Sequence, residues 1–94
     1  MILIGDIGNT QSKFAYYNKG NNKIFKLKNF NTSNIEKNKD FTKFVNKTKF
    51  TNAVITSVVP KVFLKIKSML KKKNIKCFCV LHLHRGNFGA KAVT

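Results

Sequence analysis

The residues best suited to chemistry lie close to the amino terminus, where Asp6 follows a short apolar run and a polar turn comes directly after it. Gly8 is able to adopt backbone angles closed to other residues, which lets successive N–H groups of a turn point at one anion. Asn9 and Thr10 add polar side chains, and Lys13 adds a positive charge. The stretch therefore predicts a turn that binds phosphate.

Asp6 is the expected metal ligand of this turn. Mg²⁺ binds one or two carboxylates together with phosphate oxygens and keeps several of its waters. We therefore expect Asp6 to hold Mg²⁺ through a water molecule beside the phosphates. A simple hairpin would also use Gly8, Asn9 and Thr10 for its turn geometry alone, with Asp6 merely ending a strand. Taken locally, the residues leave both interpretations open.

Three antiparallel strands and a helix are predicted to surround the turn. Two turns rich in Gly and Asn separate three apolar runs, the last of which alternates at period two over Phe25–Lys28. The Asn- and Lys-rich stretch Asn29–Lys39 is interpreted as a solvated loop. Apolar residues from Phe41 to Val45 then recur at helical spacing, with Asp40 as the expected N-cap.

The second half of the chain predicts a strand, a helix and a last strand. Ala53–Val59 is almost continuously apolar and β-branched, which is typical of a strand that is covered on both faces and pairs in parallel. Pro60 suits the first position of an amphipathic helix, and Asn74 is expected to close it. Ile75–Leu81 is then predicted to form the final strand.

Two motifs resemble those of type III pantothenate kinases, which are members of the sugar kinase, Hsp70 and actin superfamily. Asp6–Thr10 followed by Lys13 looks like the first phosphate-binding motif of that family, and Thr56–Pro60 is similar to its Ser-Val-Val-Pro segment at the expected distance. The resemblance covers residues 1–81. It implies an α/β fold of the ribonuclease H-like (actin-like ATPase) type. The lobe would have the element order β-β-β-α-β-α-β and a mixed five-stranded sheet.

The resemblance also implies a function. It is the ATP-dependent phosphorylation of pantothenate, the first step of coenzyme A biosynthesis, with ATP and Mg²⁺ as cofactors. For the full-length family it implies a monovalent cation, K⁺ or NH₄⁺, and a homodimer. Asp6 is expected to bind the metal. The residues expected to bind ATP and its phosphates are Asp6, Ile7, Gly8, Asn9, Thr10, Gln11, Ser12 and Lys13.

The catalytic residues of the family are not expected in this chain. Its members carry the catalytic aspartate in a Gly-x-Asp-Arg motif and a second phosphate motif that begins Asp-Phe-Gly-Thr, whereas this sequence has no carboxylate after Asp40. Residues 82–94 show no periodicity and are interpreted as an irregular, unassigned tail beyond the lobe of residues 1–81. We therefore expect an amino-terminal portion of a kinase, cut short by truncation, a frame change or non-native residues. Such a portion binds nucleotide and is inactive alone.

The strong positive charge has two interpretations. The chain has 19 Lys plus Arg against 3 Asp plus Glu, a formal net charge of +16. All but one of the basic residues are Lys, whereas readout of base edges favours Arg. Lys, Asn, Ile and Phe share A/T-rich codons, so we favour a drift in base composition over a nucleic-acid partner. A small basic nucleic-acid-binding module stays the alternative function.

The sequence also bears on location and on a second metal site. No stretch approaches the run of about 18 apolar residues that a membrane span needs, and a basic leader is absent, so we expect a cytoplasmic protein without a membrane partner. Cys77, Cys79, His82 and His84 have the ligand types of a zinc site. On a continuing strand the cysteines and histidines would point to opposite faces. We therefore interpret the cysteines as small core residues.

Overall fold

The computed structural model describes residues 1–81 and 91–93, which build one sheet with its helices on one face. The strands are β1 (Ile2–Ile7), β2 (Gln11–Asn18), β3 (Lys23–Asn31), β4 (Asn52–Ser57), β5 (Lys76–Leu81) and β6 (Lys91–Val93). The helices are α1 (Lys39–Asn46) and α2 (Pro60–Lys71), and a short 3₁₀ turn spans Ile35–Lys37. Neither helix is long and apolar enough to cross a bilayer.

The sheet is mixed, as predicted. Its strand order is β3-β2-β1-β4-β5-β6. The first three strands pair antiparallel, whereas β4 lies between β1 and β5 and is parallel to both. The five predicted strands and both predicted helices are therefore confirmed, in the predicted order. Residues 91–93 add a sixth strand, antiparallel to β5.

The two faces of the sheet differ in character. On the face beneath the helices, Leu3 and Ile7 of β1 lie fully buried in one apolar cluster with residues of α1 and α2. On the other face, which we call the open face, Ile4 and Val54 are half-buried and Asp6 is exposed. The prediction that β4 is covered on both faces is wrong for the described residues, because both helices pack on the same side.

Phe14 is the centre of the aromatic core. Its ring is fully buried and lies 4.8 Å from that of Phe41 and 6.3 Å from that of Phe30, between centroids. On the neighbouring strand, a Cβ at Gly5 would come within 2.3 Å of the Phe14 ring. Gly5 is therefore needed because the ring lies flush against its backbone. This packing fixes β1 against β2 one residue before Asp6.

The N-cap of α1 is Asn38 rather than Asp40. The Asn38 side chain accepts hydrogen bonds from the N–H groups of Asp40 at 2.8 Å and Phe41 at 3.1 Å. Asp40 lies in the first turn, where a carboxylate interacts favourably with the positive end of the helix. The predicted N-cap was wrong because Asn and Asp are equally good caps and both occur at the start of the apolar pattern.

The predicted solvated loop at Asn29–Lys39 is wrong. Its first three residues extend β3, and the 3₁₀ turn follows. Phe30 and Ile35 are anchored in the core, and Thr32 between them is only 3% exposed. The Asn and Lys residues of the stretch alternate with these buried positions, which obscures the strand in the sequence.

The start and end of α2 agree with the sequence pattern. Pro60 lies at the first turn, and Asn74 adopts a left-handed backbone with φ of 61° after the helix. The Ile75 N–H then donates to the Leu70 carbonyl at 3.0 Å, which closes the helix end. The chain enters β5 directly from this cap.

Candidate functional site

Three polar side chains meet on the open face at the carboxyl end of β1. Asp6 is the register partner of Lys13 on β2 and of Thr56 on β4. Directly paired residues of neighbouring strands project to the same face of a sheet, so the three side chains lie together. The Thr56 hydroxyl donates a hydrogen bond to Asp6 Oδ1 at 2.8 Å. Strand pairing alone therefore brings together a carboxylate, an ammonium group and a hydroxyl.

The charges of Asp6 and Lys13 are open to a ligand. Both residues are exposed. They form no ion pair with each other, since the one salt bridge among the described residues joins Lys65 Nζ to Glu36 Oε2 at 3.7 Å. A shallow cleft of about 400 Å³ opens beside them, with apolar walls that include Ile4, Ala15, Ile24 and Leu27.

The surroundings of Asp6 fit a magnesium ion held through water. A binding cage made only of protein needs several oxygen ligands, and in the part of the chain that the structure describes no three His, Cys, Asp or Glu side chains come together. One exposed carboxylate, oriented by Thr56, suits an ion that takes its other ligands from phosphate and water. Asp6 fits Mg²⁺ only when a phosphate group is present as well.

The polar turn after β1 is tightly closed. The Gly8 N–H donates to the Gln11 carbonyl at 3.0 Å. A Cβ at Gly8 would lie 2.8 Å from that same carbonyl oxygen, which is a backbone atom with little freedom to move. Asn9 and Thr10 at the tip are exposed. The turn therefore presents two polar side chains and depends on glycine for its closure.

Not all of the predicted site residues expose their side chains. Ile7 and Ser12 are fully buried on the core side, so their side chains are not presented to a ligand. The Gln11 side chain is exposed and donates to Asn31 Oδ1 at 2.8 Å. The structure thus brings Asp6, Lys13 and the turn tip to one edge of the sheet. It places Ile7 and Ser12 beneath them.

Thr32 is a residue of this region that the sequence did not reveal. It follows β3, and its hydroxyl donates to the Gly8 carbonyl at 2.8 Å while its backbone N–H donates to the Thr10 carbonyl at 2.9 Å. Its hydroxyl also lies 2.7 Å from that of Ser12. The available signal was a threonine two residues after the apolar Phe30, just beyond the end of β3.

The second motif has a structural role at the end of β4. The Ser57 hydroxyl accepts a hydrogen bond from the Val59 N–H at 3.0 Å and donates to the Val59 carbonyl at 3.1 Å. The Val58 N–H donates to the Ile7 carbonyl at 3.0 Å. These bonds join the ends of β1 and β4 where α2 begins. They hold Thr56 next to Asp6.

The cysteines pack as core residues. Cys77 and Cys79 are paired with Ala53 and Ile55 of β4, lie on the core side and are partly buried. Burial raises the pKa of the Cys77 thiol to about 11, so the thiolate that zinc requires is disfavoured at neutral pH. His82 and His84, the other two candidate ligands, lie outside the described residues.

The sequence model of type III pantothenate kinases matches residues 2–88 of this 94-residue chain. The chain belongs to the type III pantothenate kinase family. Members of this family are ATP-dependent kinases. The turn at Gly8 and the segment at Ser57 both fall within the region matched to the pantothenate kinase family.

A solved structure adds a comparison of fold. The chain is similar to the fowlpox virus resolvase in its crystal structure with Holliday junction DNA, with a TM-score of 0.65 at 16% sequence identity. The match covers 93% of this chain but only 64% of the resolvase chain. At this identity the likeness shows the fold alone, and it confirms the predicted ribonuclease H-like class for this pantothenate kinase family member. No curated protein matches the chain significantly.

Proposed function

We propose that this chain binds the phosphates of Mg²⁺-ATP at the turn Gly8–Thr10, as the nucleotide-binding lobe of an enzyme that phosphorylates pantothenate. The observation that carries the proposal is the meeting of Asp6, Lys13 and Thr56 beside a turn closed by Gly8. A carboxylate for the metal, an ammonium group for phosphate and exposed backbone amides are the parts that phosphoryl transfer requires on one side of the nucleotide.

Each residue has a distinct role in this proposal. Asp6 holds Mg²⁺ through water, in the orientation that the Thr56 hydroxyl gives it. Lys13 neutralises phosphate charge, and the Asn9 and Thr10 side chains with the backbone of the turn contact phosphate oxygens. Ile7 contributes through its backbone, since its side chain is buried, and the buried Ser12 hydroxyl bonds that of Thr32 beneath the turn. Gln11 supports the turn by bonding Asn31.

The remaining parts of the reaction belong to the whole enzyme. Residues 1–81 form the proposed lobe. Phosphorylation of pantothenate also needs a general base that removes the proton from its hydroxyl group. We assign this role to none of the three Asp and Glu residues of this chain. We propose that the whole enzyme also uses a monovalent cation, K⁺ or NH₄⁺, forms a homodimer and is cytoplasmic. The chain by itself is then a binding unit without catalytic turnover.

Asp6→Asn is expected to abolish the Mg²⁺ dependence of ATP binding. In the wild-type chain Mg²⁺ increases the affinity for ATP. The variant loses the attraction between the Asp6 carboxylate and Mg²⁺, which is worth about 1 kcal/mol across a water molecule. The dissociation constant of Mg²⁺-ATP should therefore rise roughly fivefold, and more if water is excluded from the site. Calorimetric titration with ATP, with and without Mg²⁺, measures this difference. Without Mg²⁺ the variant should bind ATP as well as the wild type or slightly better, because a negative charge has been removed.

Asp40→Asn is the matched control, because it makes the same change of charge in the first turn of α1 rather than beside the turn that follows β1. It should keep the full effect of Mg²⁺. If Asp6→Asn retains that effect as Asp40→Asn does, Asp6 is not the metal ligand and the proposal fails at its centre.

Binding of nucleic acid is the second candidate, and one surface favours it. Between α2 and the 3₁₀ turn, a groove of about 720 Å³ has Glu36 as its single acidic residue. Its basic lining residues are Lys37, Lys65, Lys72 and Lys73. Binding through such lysines would fall by orders of magnitude from low to physiological salt. Asp6→Asn would leave it unchanged or slightly stronger, which separates it from nucleotide binding.

A further inference from the structure

Thr32, which the sequence did not suggest, makes two hydrogen bonds to the turn Gly8–Thr10. It lies just after β3, which pairs with β2 on the side away from β1. From there its hydroxyl reaches the Gly8 carbonyl at 2.8 Å and its N–H reaches the Thr10 carbonyl at 2.9 Å. A residue far along the chain therefore holds both ends of the turn tip.

The hydrogen-bond directions around Thr32 follow from its single hydroxyl proton. A carbonyl cannot donate, so the Thr32 proton points at the Gly8 oxygen. The Ser12 hydroxyl, 2.7 Å away, must then donate to Thr32 Oγ1. Thr32 and Ser12 are 3% and 0% exposed, so water does not replace these bonds. The chain of bonds runs from Ser12 through Thr32 to Gly8 in one fixed direction.

Fixing the Gly8 carbonyl also fixes the next amide. The peptide bonds of the described residues are trans, and in a trans peptide the C=O and N–H groups point in opposite directions. With the Gly8 oxygen held toward Thr32, the Asn9 N–H points away from Thr32, at an exposed position of the turn. A flipped peptide would instead direct a carbonyl oxygen at the ligand and repel an anion. The contact to Thr32 prevents that flip.

We propose that Thr32 is a positioning residue, which acts through the Gly8–Asn9 peptide to aim the Asn9 N–H at a nucleotide phosphate. The inference rests on the proposed function, because it assumes that the turn binds phosphate. Thr32 itself does not touch the ligand. Ser12 supports this role, because its hydroxyl donates to Thr32 Oγ1 and leaves the Thr32 proton for the Gly8 carbonyl.

The test compares three replacements of Thr32 in the full chain. Thr32→Val removes the hydroxyl and keeps the backbone bond to Thr10, and it is expected to weaken Mg²⁺-ATP binding about tenfold because the Gly8 carbonyl loses its partner. Thr32→Ser restores the hydroxyl and should bind within about twofold of the wild type. Thr32→Ala places no methyl group at the hydroxyl position and serves as the second variant if the valine protein does not fold.

Thr42→Val is the matched control for a purely structural effect. The Thr42 hydroxyl also donates to a backbone carbonyl, that of Asn38 at 3.1 Å, but at the start of α1 and not to the turn. Unfolding in urea gives the stability of each valine variant, and Thr42→Val should lose less because the Asn38 carbonyl keeps the Thr42 N–H as a partner. Nucleotide affinities are therefore compared under conditions in which both variants are folded. Only Thr32→Val should lose nucleotide affinity. Equal affinities in the two variants would overturn the positioning role and leave the proposed function intact.

Hydrogen exchange of the Gly8 amide tests the turn without nucleotide. Its bond to the Gln11 carbonyl should open more often once Thr32 no longer holds the Gly8 carbonyl, so exchange should be about tenfold faster in Thr32→Val than in Thr42→Val. If the wild type does not bind Mg²⁺-ATP, the proposed function fails. The exchange rates then show by themselves whether Thr32 stabilises the closed turn. Faster exchange of the Gly8 amide in Thr32→Val supports this stabilisation, and unchanged exchange overturns it.

Discussion

Gly8→Ala is expected to lower the affinity for Mg²⁺-ATP by about 10- to 100-fold. A Cβ at this position would lie 2.8 Å from the Gln11 carbonyl oxygen, the same atom that accepts the Gly8 N–H bond. The turn has to open to relieve the contact, and its amides then lose their common direction. Hydrogen bonds to charged groups are each worth about 1.5–3 kcal/mol, so the loss of one explains the expected factor. Calorimetric titration with Mg²⁺-ATP measures it.

Gly20→Ala is the control for the general effect of replacing a glycine in a turn. Gly20 lies between β2 and β3, and its added Cβ would meet the end of the Asn18 side chain at 3.3 Å, which is able to move. This variant should bind nucleotide as the wild type does. Equal binding by Gly8→Ala would show that the closed turn does not serve phosphate binding.

Phe14→Ala is expected to destabilise the fold by about 3–5 kcal/mol, the range for removing a fully buried Phe ring. A domain of this size has a total stability of about 5–15 kcal/mol, so the variant should be close to unfolding. The ring packs on Phe41 and Phe30 and against the backbone of Gly5. A cavity at this position would remove the packing that joins β1, β2 and α1. Equilibrium unfolding in urea, followed by circular dichroism, gives the difference in free energy.

Phe25→Ala is the matched control for Phe14→Ala. Phe25 is on the neighbouring strand and also packs on an aromatic ring, that of Tyr16 at 5.5 Å, but it is 36% exposed. Its loss should cost about 1 kcal/mol. If the two variants unfold at the same urea concentration, Phe14 is not the centre of the core.

The order of elements was predictable from the sequence because each element carries a local signal. Pro60 and Asn74 mark the two ends of α2, and the β-branched run at Ala53–Val59 marks the parallel strand. The turn after Asp6 was equally visible, since Gly, Asn and Thr occur together. Signals of this kind depend only on residues within one turn or strand.

Contacts between distant segments were not predictable in this way. Thr56 reaches Asp6 only because β4 pairs with β1 in one particular register, and Thr32 reaches Gly8 only because β3 extends to Asn31. The hidden strand end also explains why Thr32 was placed in a solvated loop. The N-cap of α1 was predicted wrongly for a local reason. Asn38 and Asp40 have similar preferences for the N-cap position, so the sequence does not distinguish them.

Nucleotide binding at the turn is tested most directly by titrating the folded, ¹⁵N-labelled chain with ATP in Mg²⁺ and following the backbone amide signals. We expect the signals of Gly8, Asn9 and Thr10 to shift progressively and saturate, while those of Lys65 on α2 and Lys72 at its end stay in place. Shifts confined to the lysines of α2, or no shift at the turn in a folded sample, would contradict nucleotide binding at this site.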